Sequence, residues 1–411
     1  MNPGQEMPRL RIAMLNRVFA LRGGGAESYS VRIVEELAAR HEVHVFAQEI
    51  THEHPGVTYH RIRLALRKPR WLNQLAFAWA TWRATREGFD IVHSHENTWH
   101  GDIHSIHVKS VRASLLGGRG GVALGLRWLK IALSPRLLTY LGFEAARYAA
   151  RPGRLVVLAS ASLRREAELV YPEAVRRMRV VTPGVHLAAN AAPDRAAARA
   201  SLGLAHAGPL LLFVANDYAR KGLETLLQAL ASLPPDVALA VVGKGEQIAG
   251  FRAQAQALGV GERVHFLGSR DDVGPAYDAA DVLVHPTRED SFAMVVPEAM
   301  AHGLPVIVSA APWCGISELL RDGEDALLLA DPLDARALAK RVAVLLRDFG
   351  LRDRLRWAGL AFAAAHTWAA AAQTFEAIYR ESLAARTAKV CPRPSTGSGP
   401  STGSGPSTGS G

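Results

Sequence analysis

Short apolar runs rich in Val, Ile and Leu alternate with helical stretches along this chain, and the alternation runs twice. In the first half, the expected strands are 10–15, 42–48, 90–94, 103–108, 154–158 and 178–181. Helical patterns fall between them at 26–39, 71–86 and 144–150. Thr182-Pro-Gly-Val185 then breaks the pattern, and an Ala/Pro-rich stretch over 188–200 reads as a linker. Strands are expected again at 209–216, 237–243, 264–267, 282–286 and 305–309, each followed by a helix or a glycine-bearing loop. A strand–helix–strand repeat returns the chain to the same end of its sheet, so the strands pair in parallel and helices cover both faces. The expected fold is α/β, with two Rossmann-like domains facing across a cleft, one over 1–187 and one over 188–390. A length of 411 residues agrees, because a single core stops growing well before that size. Beyond Asp331 the pattern is helical to about Ala385. The end, 391–411, repeats Ser395-Thr-Gly-Ser-Gly399 three times with Pro400 and Pro406 as spacers. It reads as a disordered low-complexity tail or a fusion scar, and is set apart from the fold.

The chemistry-bearing feature of the second half is a pair of carboxylates, Asp290 and Glu298, in Glu289-Asp-Ser-Phe-Ala-Met-Val-Val-Pro-Glu298. An apolar strand precedes them and an apolar helix follows from about Val295 to His302. Pro297 is tolerated in a first turn, so the helix starts just before it. Asp290 then lies in the strand-to-helix loop, and Glu298 leans back from the first turn toward that loop. Two acceptors and unsatisfied backbone N–H groups around one crevice suit a hydroxyl-rich ligand with an anionic part. Helix capping plus a solvated acid is the plainer alternative.

Two further segments point to an anion. Arg22-Gly-Gly-Gly-Ala-Glu27 opens a helix after the first strand. Glycines there let backbone approach a bulky ligand, and a plain tight turn is the alternative. A dinucleotide fingerprint needs glycine where Ser28 stands, which counts against a dehydrogenase. In the second half, Arg220 and Lys221 sit where a helix begins, against the macrodipole. An anion such as a diphosphate would bridge them; two solvated loop charges are the alternative.

In this order and spacing, Gly24 to Glu27, Arg220-Lys221-Gly222, Val242-Gly-Lys-Gly-Glu246, Val264-His-Phe-Leu-Gly-Ser269 and Pro297-Glu-Ala-Met-Ala-His-Gly-Leu-Pro305 resemble the GT-B glycosyltransferases of family 4 over roughly 9–385. The resemblance implies an N-terminal acceptor domain and a C-terminal nucleotide-sugar domain. It further implies retaining transfer of a sugar to a glycan or lipid-linked acceptor, as in cell-surface polysaccharide or lipopolysaccharide synthesis. Donor binding would fall to Gly24, Gly25, Arg220, Lys221, Asp290, Ser291, Phe292, Ala293, Met294 and Glu298. Arg220 and Lys221 would neutralise the leaving diphosphate, and Glu298 would hold ribose hydroxyls. Asp290 stands where the family usually has Glu, so its reach to the sugar is shorter. His107 matches the N-domain histidine that approaches the donor sugar, with His104 as a competitor. The chain contains no Asp-x-Asp, so no cofactor and no metal are expected. A GT-B-like sugar-nucleotide epimerase or hydrolase is the alternative function.

Charge is uneven. Up to Val185 there are 27 Lys/Arg against 15 Asp/Glu, and beyond it 21 against 23. No acid occurs between Asp102 and Glu144, where Arg and Lys interleave with Leu115, Leu124, Leu126, Trp128, Leu129 and Ile131. That composition suits an anionic membrane surface, or a helix packed on the sheet with its Arg side chains extended into water. No nucleic-acid-binding module is recognisable, so nucleic acid is not an expected partner. Only Cys314 and Cys391 occur, far apart, and no run approaches the ~20 apolar residues of a membrane span. The expected location is the cytoplasm, with docking on the inner face of the cell membrane.

Overall fold

The structure, a computed structural model, describes residues 8–21, 25–63, 68–118, 120–188, 194–244 and 248–390. The tail 391–411 lies outside the described residues. In chain order the first nine strands are β1 (Arg11–Leu15), β2 (Val18–Phe19), β3 (Glu42–Ala47), β4 (Glu49–Ile50), β5 (Val57–Arg61), β6 (Ile91–Ser94), β7 (Ile103–Ile106), β8 (Leu155–Leu158) and β9 (Met178–Val180). Seven of them form one parallel sheet in the order β5-β3-β1-β6-β7-β8-β9, while β2 and β4 pair separately. The second sheet holds β10 (Leu210–Val214), β11 (Ala238–Val242), β12 (Val264–Gly268), β13 (Val282–His285), β14 (Val306–Ser309) and β15 (Leu327–Leu329). Its order is β12-β11-β10-β13-β14-β15, parallel throughout. Two Rossmann-like domains facing across a cleft are thus present.

Burial explains why these strands read as unbroken apolar runs. Every residue of β10 and β11 is buried. Alternate side chains serve opposite faces, with Leu210, Leu212, Val214 and Ala240 in one core and Leu211, Phe213 and Val241 in the other. Four strands are not anticipated by the pattern: β2 and β4 have two residues each, β5 is a half-exposed edge with a polar sequence, and β15 spans only Leu327–Leu329.

The structure corrects three expectations. The 188–200 linker contains a helix, Arg195–Ser201, whose Asp194 cap accepts from the N–H groups of Ala196 and Ala197 at 3.0 and 3.1 Å. Its alanines are strong helix formers, which outweighs the loop-like composition; 189–193 lie outside the described residues. The helix expected at 144–150 is instead Pro135–Tyr148, capped by Ser134. Finally, the stretch assigned to the second domain, 188–390, does not stay with it. The last helix, Trp368–Val390, crosses back and buries Trp368, Phe375, Ile378 and Tyr379 in the core of the first sheet. The two crossings meet at a Val185–Thr367 bridge, where a Cβ on Gly184 would lie 2.3 Å from the Trp368 nitrogen.

Candidate active site

Each sheet reverses its strand order once, between β1 and β6 in the first and between β10 and β13 in the second. A crevice opens at the carboxyl ends of such a pair, because the flanking connections run to opposite sides. The two crevices face one another across a cleft of ≈ 870 Å³. The second domain lines it with Val214–Asp217, Gly243, Ser269–Asp271, His285 and Glu289–Val295; the first contributes Leu21, Tyr29 and His107.

Two glycines bring the second domain's loops together. Gly222 has φ 83° and caps the Leu223–Ala231 helix; a Cβ there would stand 2.0 Å from the Pro286 carbonyl oxygen. Gly243, at φ 123°, would place one 1.9 Å from the Ala215 oxygen. Only glycine allows both the left-handed backbone and the contact. The 217–222 loop is therefore pressed against the loop after β13, and Lys221 meets Asp290. Lys221 Nζ donates to Asp290 Oδ2 at 2.5 Å and to the Glu289 carbonyl at 2.9 Å. His285 Nε2 approaches the same carboxylate oxygen at 3.4 Å, while Oδ1 accepts from the N–H groups of Phe292 and Ala293. Ala293 is held at φ 69°, a conformation rare for a residue with a side chain. Burial works against ionising Asp290, but the His285 hydrogen bond and the Lys221 charge outweigh it and hold the carboxyl well below the usual range.

Most of the expected residues meet here. Arg220, Lys221, Asp290, Ser291, Phe292, Ala293 and Met294 all line the cleft. Arg220 is half exposed, pairing with Asp217 at 3.2 Å. Glu298 differs. It occupies the first turn of the Val295–Ala301 helix as expected, but Tyr277 donates its hydroxyl to Oε2 at 2.7 Å, and Glu298 is not among the cleft-lining residues. Burial raises its pKa, against the pull of Tyr277, His302 and Arg32. Gly24 lies outside the described residues, and Gly25 begins the Gly25–Ala38 helix.

Of the two candidate histidines, His107 lines the cleft, with the Tyr29 ring centroid 4.6 Å away. His104 is fully buried, and neither of its ring nitrogens has a partner among the described residues. Burial and the Arg147 charge lower the pKa of His107 to about 4, leaving it neutral near pH 7. Lys109 in the first domain pairs with Glu289 in the second at 2.8 Å, and Arg165 with Glu318, so two ion pairs span the domains. Cys314 is a free, buried thiol.

Outside the cleft, the acid-free segment folds as helices Val111–Leu116, Gly121–Ala132 and Pro135–Tyr148. On the second of these only Ile131 is buried, and Leu126, Trp128 and Leu129 are 64%, 48% and 57% exposed. Most of its apolar side chains thus face outward, Ile131 excepted. No helix among the described residues is long and apolar enough to cross a membrane.

Lining positions that the sequence did not assign to the site are His285, Asp217, Arg270 and Ser269, the last although it closes a quoted motif. Asp217 follows β10 and His285 ends β13, the two strands that flank the strand-order reversal, and that position is the signal that could have located them; Ser269 and Arg270 follow the edge strand β12.

Comparison with known proteins places this geometry. Residues 23–189 match the family described as Glycosyltransferase Family 4, and 194–360 match that described as Glycosyl transferases group 1. The lipopolysaccharide glucosyltransferase WaaG of Escherichia coli (strain K12) is 29% identical over 240 residues, 55% of this chain and 61% of that protein. A D-inositol 3-phosphate glycosyltransferase of Xylanimonas cellulosilytica is 34% identical over 244 residues, 56% of this chain and 58% of its own length. These matches span only about 60% of the curated relatives. Among solved structures, WaaG superposes with a TM-score of 0.73 at 23% identity, covering 90% of this chain and 99% of that one. Anabaena HepE in complex with UDP and glucose gives 0.67 at 19%, covering 90% and 99%.

Proposed function

Because this chain belongs to glycosyltransferase family 4 and has the GT-B fold, we propose that it is a retaining glycosyltransferase moving a sugar from a nucleotide-sugar donor to a glycan or lipid-linked acceptor, in cell-surface polysaccharide or lipopolysaccharide synthesis. The observation that carries the reading is the pairing of Arg220 and Lys221 at the strand-order reversal of the second sheet, opposite His107. Breaking a glycosyl–phosphate bond leaves a nucleoside diphosphate carrying growing negative charge while the sugar becomes oxocarbenium-like. Two fixed cations at the diphosphate stabilise that charge more in the transition state than in the ground state. Lys221 is already oriented by Asp290, so little reorganisation is needed. Arg220 is tied to Asp217 by a half-exposed pair, which costs at most about 1 kcal/mol to exchange for a phosphate.

The acceptor hydroxyl attacks from the face that the diphosphate leaves, and its proton passes to a leaving-group phosphate oxygen. Configuration is then retained without a protein nucleophile. Support for the donor class comes from HepE, a fold relative described in complex with UDP and with UDP-glucose. Support for a lipid-linked acceptor comes from the outward apolar and basic face of the Gly121–Ala132 helix. With the leaving charge met by cationic side chains, transfer does not depend on a divalent metal.

The deciding experiment incubates the protein with radiolabelled nucleotide-sugars and a panel of lipid-linked and soluble glycan acceptors, with and without excess EDTA. Label appears in the acceptor with the anomeric configuration of the donor, and EDTA leaves the rate unchanged. Release of free sugar alone would assign a hydrolase, and epimerised nucleotide-sugar an epimerase. Loss of transfer on chelation, restored by Mg²⁺ or Mn²⁺, would overturn the leaving-group chemistry.

A further inference from the structure

We infer that His95 is a positioning residue that holds His107 in the tautomer with its proton on Nδ1, so that His107 offers the cleft a hydrogen-bond donor. The inference takes from the proposed function only that His107 meets the donor sugar; the ring geometry stands apart from it.

β6 ends at Ser94, and strand alternation puts His93 and His95 on one side of it. Its parallel neighbour β7 ends at Ile106 and delivers His107 beside them. His93 is anchored at both nitrogens, Nδ1 to the Tyr379 hydroxyl at 2.8 Å and Nε2 to the Ser105 hydroxyl at 2.7 Å. Its ring centroid lies 4.4 Å from that of His95. His95 Nδ1 and His107 Nε2 are 3.3 Å apart. The two ring planes differ by 5° and their centroids are 5.6 Å apart. The centroid spacing exceeds the nitrogen spacing by about one ring width, so the nitrogens face each other along the line of centres. This is the alignment of a hydrogen bond between rings lying edge to edge.

A hydrogen bond there requires one proton between two nitrogens. Burial keeps His95 and His107 neutral, so each ring carries a single proton. Either His95 donates from Nδ1 and leaves its Nε2 as a bare lone pair, or His107 donates and the proton of His95 sits on Nε2. His95 Nε2 is buried with no partner among the described residues. The second arrangement would therefore bury an unpaired N–H, which native structures accommodate less often than an unused acceptor. The first is favoured. His107 then keeps its own proton on Nδ1, the nitrogen left for the cleft. Tyr29 holds the ring from another side, its hydroxyl donating to the Val181 carbonyl at 3.2 Å. A sugar hydroxyl or ring oxygen meeting His107 accepts from it.

The test reads the tautomer directly. Long-range ¹H–¹⁵N spectra of histidine-labelled, ligand-free, full-length protein near pH 7.5 should report His107 protonated at Nδ1, its signals assigned by their loss in His107→Gln. In His95→Phe that preference should disappear, and in His95→Asn, whose amide N–H can take the place of Nδ1–H, it should persist. An Nε2-protonated His107 in the unaltered protein, or an unchanged tautomer in His95→Phe, overturns the inference. Should His95→Phe fail to fold, the native and His95→Asn spectra decide. With an active donor in hand, His95→Phe should lower kcat/KM by about 10-fold and His95→Asn by less than about 3-fold. In a His107→Phe background, His95→Phe should cost nothing further; an undiminished loss there overturns the coupling. If no donor supports transfer, the functional reading fails while the spectra still decide the tautomer.

Discussion

Asp290 spends both carboxylate oxygens on the protein itself. Oδ1 caps the N–H groups of Phe292 and Ala293, and Oδ2 takes Lys221 and His285. The carboxylate thereby fixes the cation beside it. Lys221→Ala should therefore lower kcat/KM by about 10²–10³-fold, the usual loss when one preorganised charge-stabilising group is removed. It also strands a carboxylate in a crowded pocket, at a cost of roughly 1–3 kcal/mol of stability by thermal or urea unfolding. If Glu298 holds the ribose hydroxyls as the family resemblance implies, Glu298→Ala should abolish most transfer while the fold survives, although it also takes the hydrogen-bond acceptor from Tyr277. Unchanged turnover in either folded variant would remove that residue from the donor site. Asp290, Arg220 and Lys221 were legible in the sequence because each sits where a strand or loop hands over to a helix, and His107 because it ends a strand inside a recognised motif. His285 and His95 were not, because a histidine near an apolar run looks the same whether it packs in a core or aligns a neighbour. What separates the cases is a partner on another strand or loop, 5 residues away for His285 and 12 for His95.

At the scale of elements, the buried strands were legible, because a parallel sheet covered on both faces demands continuous apolar runs. The edge strand β5 and the helix Arg195–Ser201 escaped, the first for lack of burial and the second because its four alanines continue an Ala/Pro-rich stretch that resembles a linker. Loop packing around Gly222 was invisible, since nothing local announces the Pro286 carbonyl. Gly222→Ala should destabilise by at least about 1–3 kcal/mol through strain at positive φ and the backbone clash, and should loosen the Lys221 loop. Urea unfolding with a parallel donor titration reads both. The ends of β6 and β7 carry a second prediction. Burial lowers the pKa of His93 to about 3 and of His107 to about 4, below the ~6.5 of an unfolded chain. The unfolded state therefore takes up protons first as pH falls. Stability from these rings is complete above pH ~6.5 and drains away toward pH 4, at up to about 1.4 kcal/mol per pH unit for each ring. His93→Gln should lower stability at pH 7.5 yet flatten its fall between pH 6.5 and 5. A slope equal to that of the unaltered protein would mean that His93 is not buried neutral.

The molecule as a whole divides its charge as it divides its sheets, and the division has a direction. Two ion pairs, Lys109–Glu289 and Arg165–Glu318, link the domains across the cleft, and the Trp368–Val390 helix ties the far end of the chain back to the first sheet. The basic excess before Val185 was legible from composition; whether its apolar residues pointed in or out was not, since a helix of Leu, Trp and Arg satisfies either. The structure turns Val122, Leu126, Trp128, Leu129 and Leu133 outward beside Arg127, Lys130 and Arg136, and Trp79 and Trp82 are also exposed on the Arg70–Thr85 helix. Each cation near an anionic surface contributes roughly 1 kcal/mol, a term that salt screens over about 8–10 Å. The apolar side chains add a part that salt does not remove, about 25 cal/mol per Å² transferred from water. Both terms together predict reversible binding to anionic vesicles that weakens in high salt without vanishing, and feeble binding to neutral ones. Co-sedimentation with neutral and anionic vesicles at low and high salt measures this, and Trp128→Ser with Leu129→Ser should abolish the salt-resistant remainder. Equal, negligible sedimentation with both lipids would reject the membrane surface as a partner and leave a soluble anionic glycan as the acceptor to pursue. Binding that salt removes completely would mean that the cations reach the lipid while the apolar face stays in water.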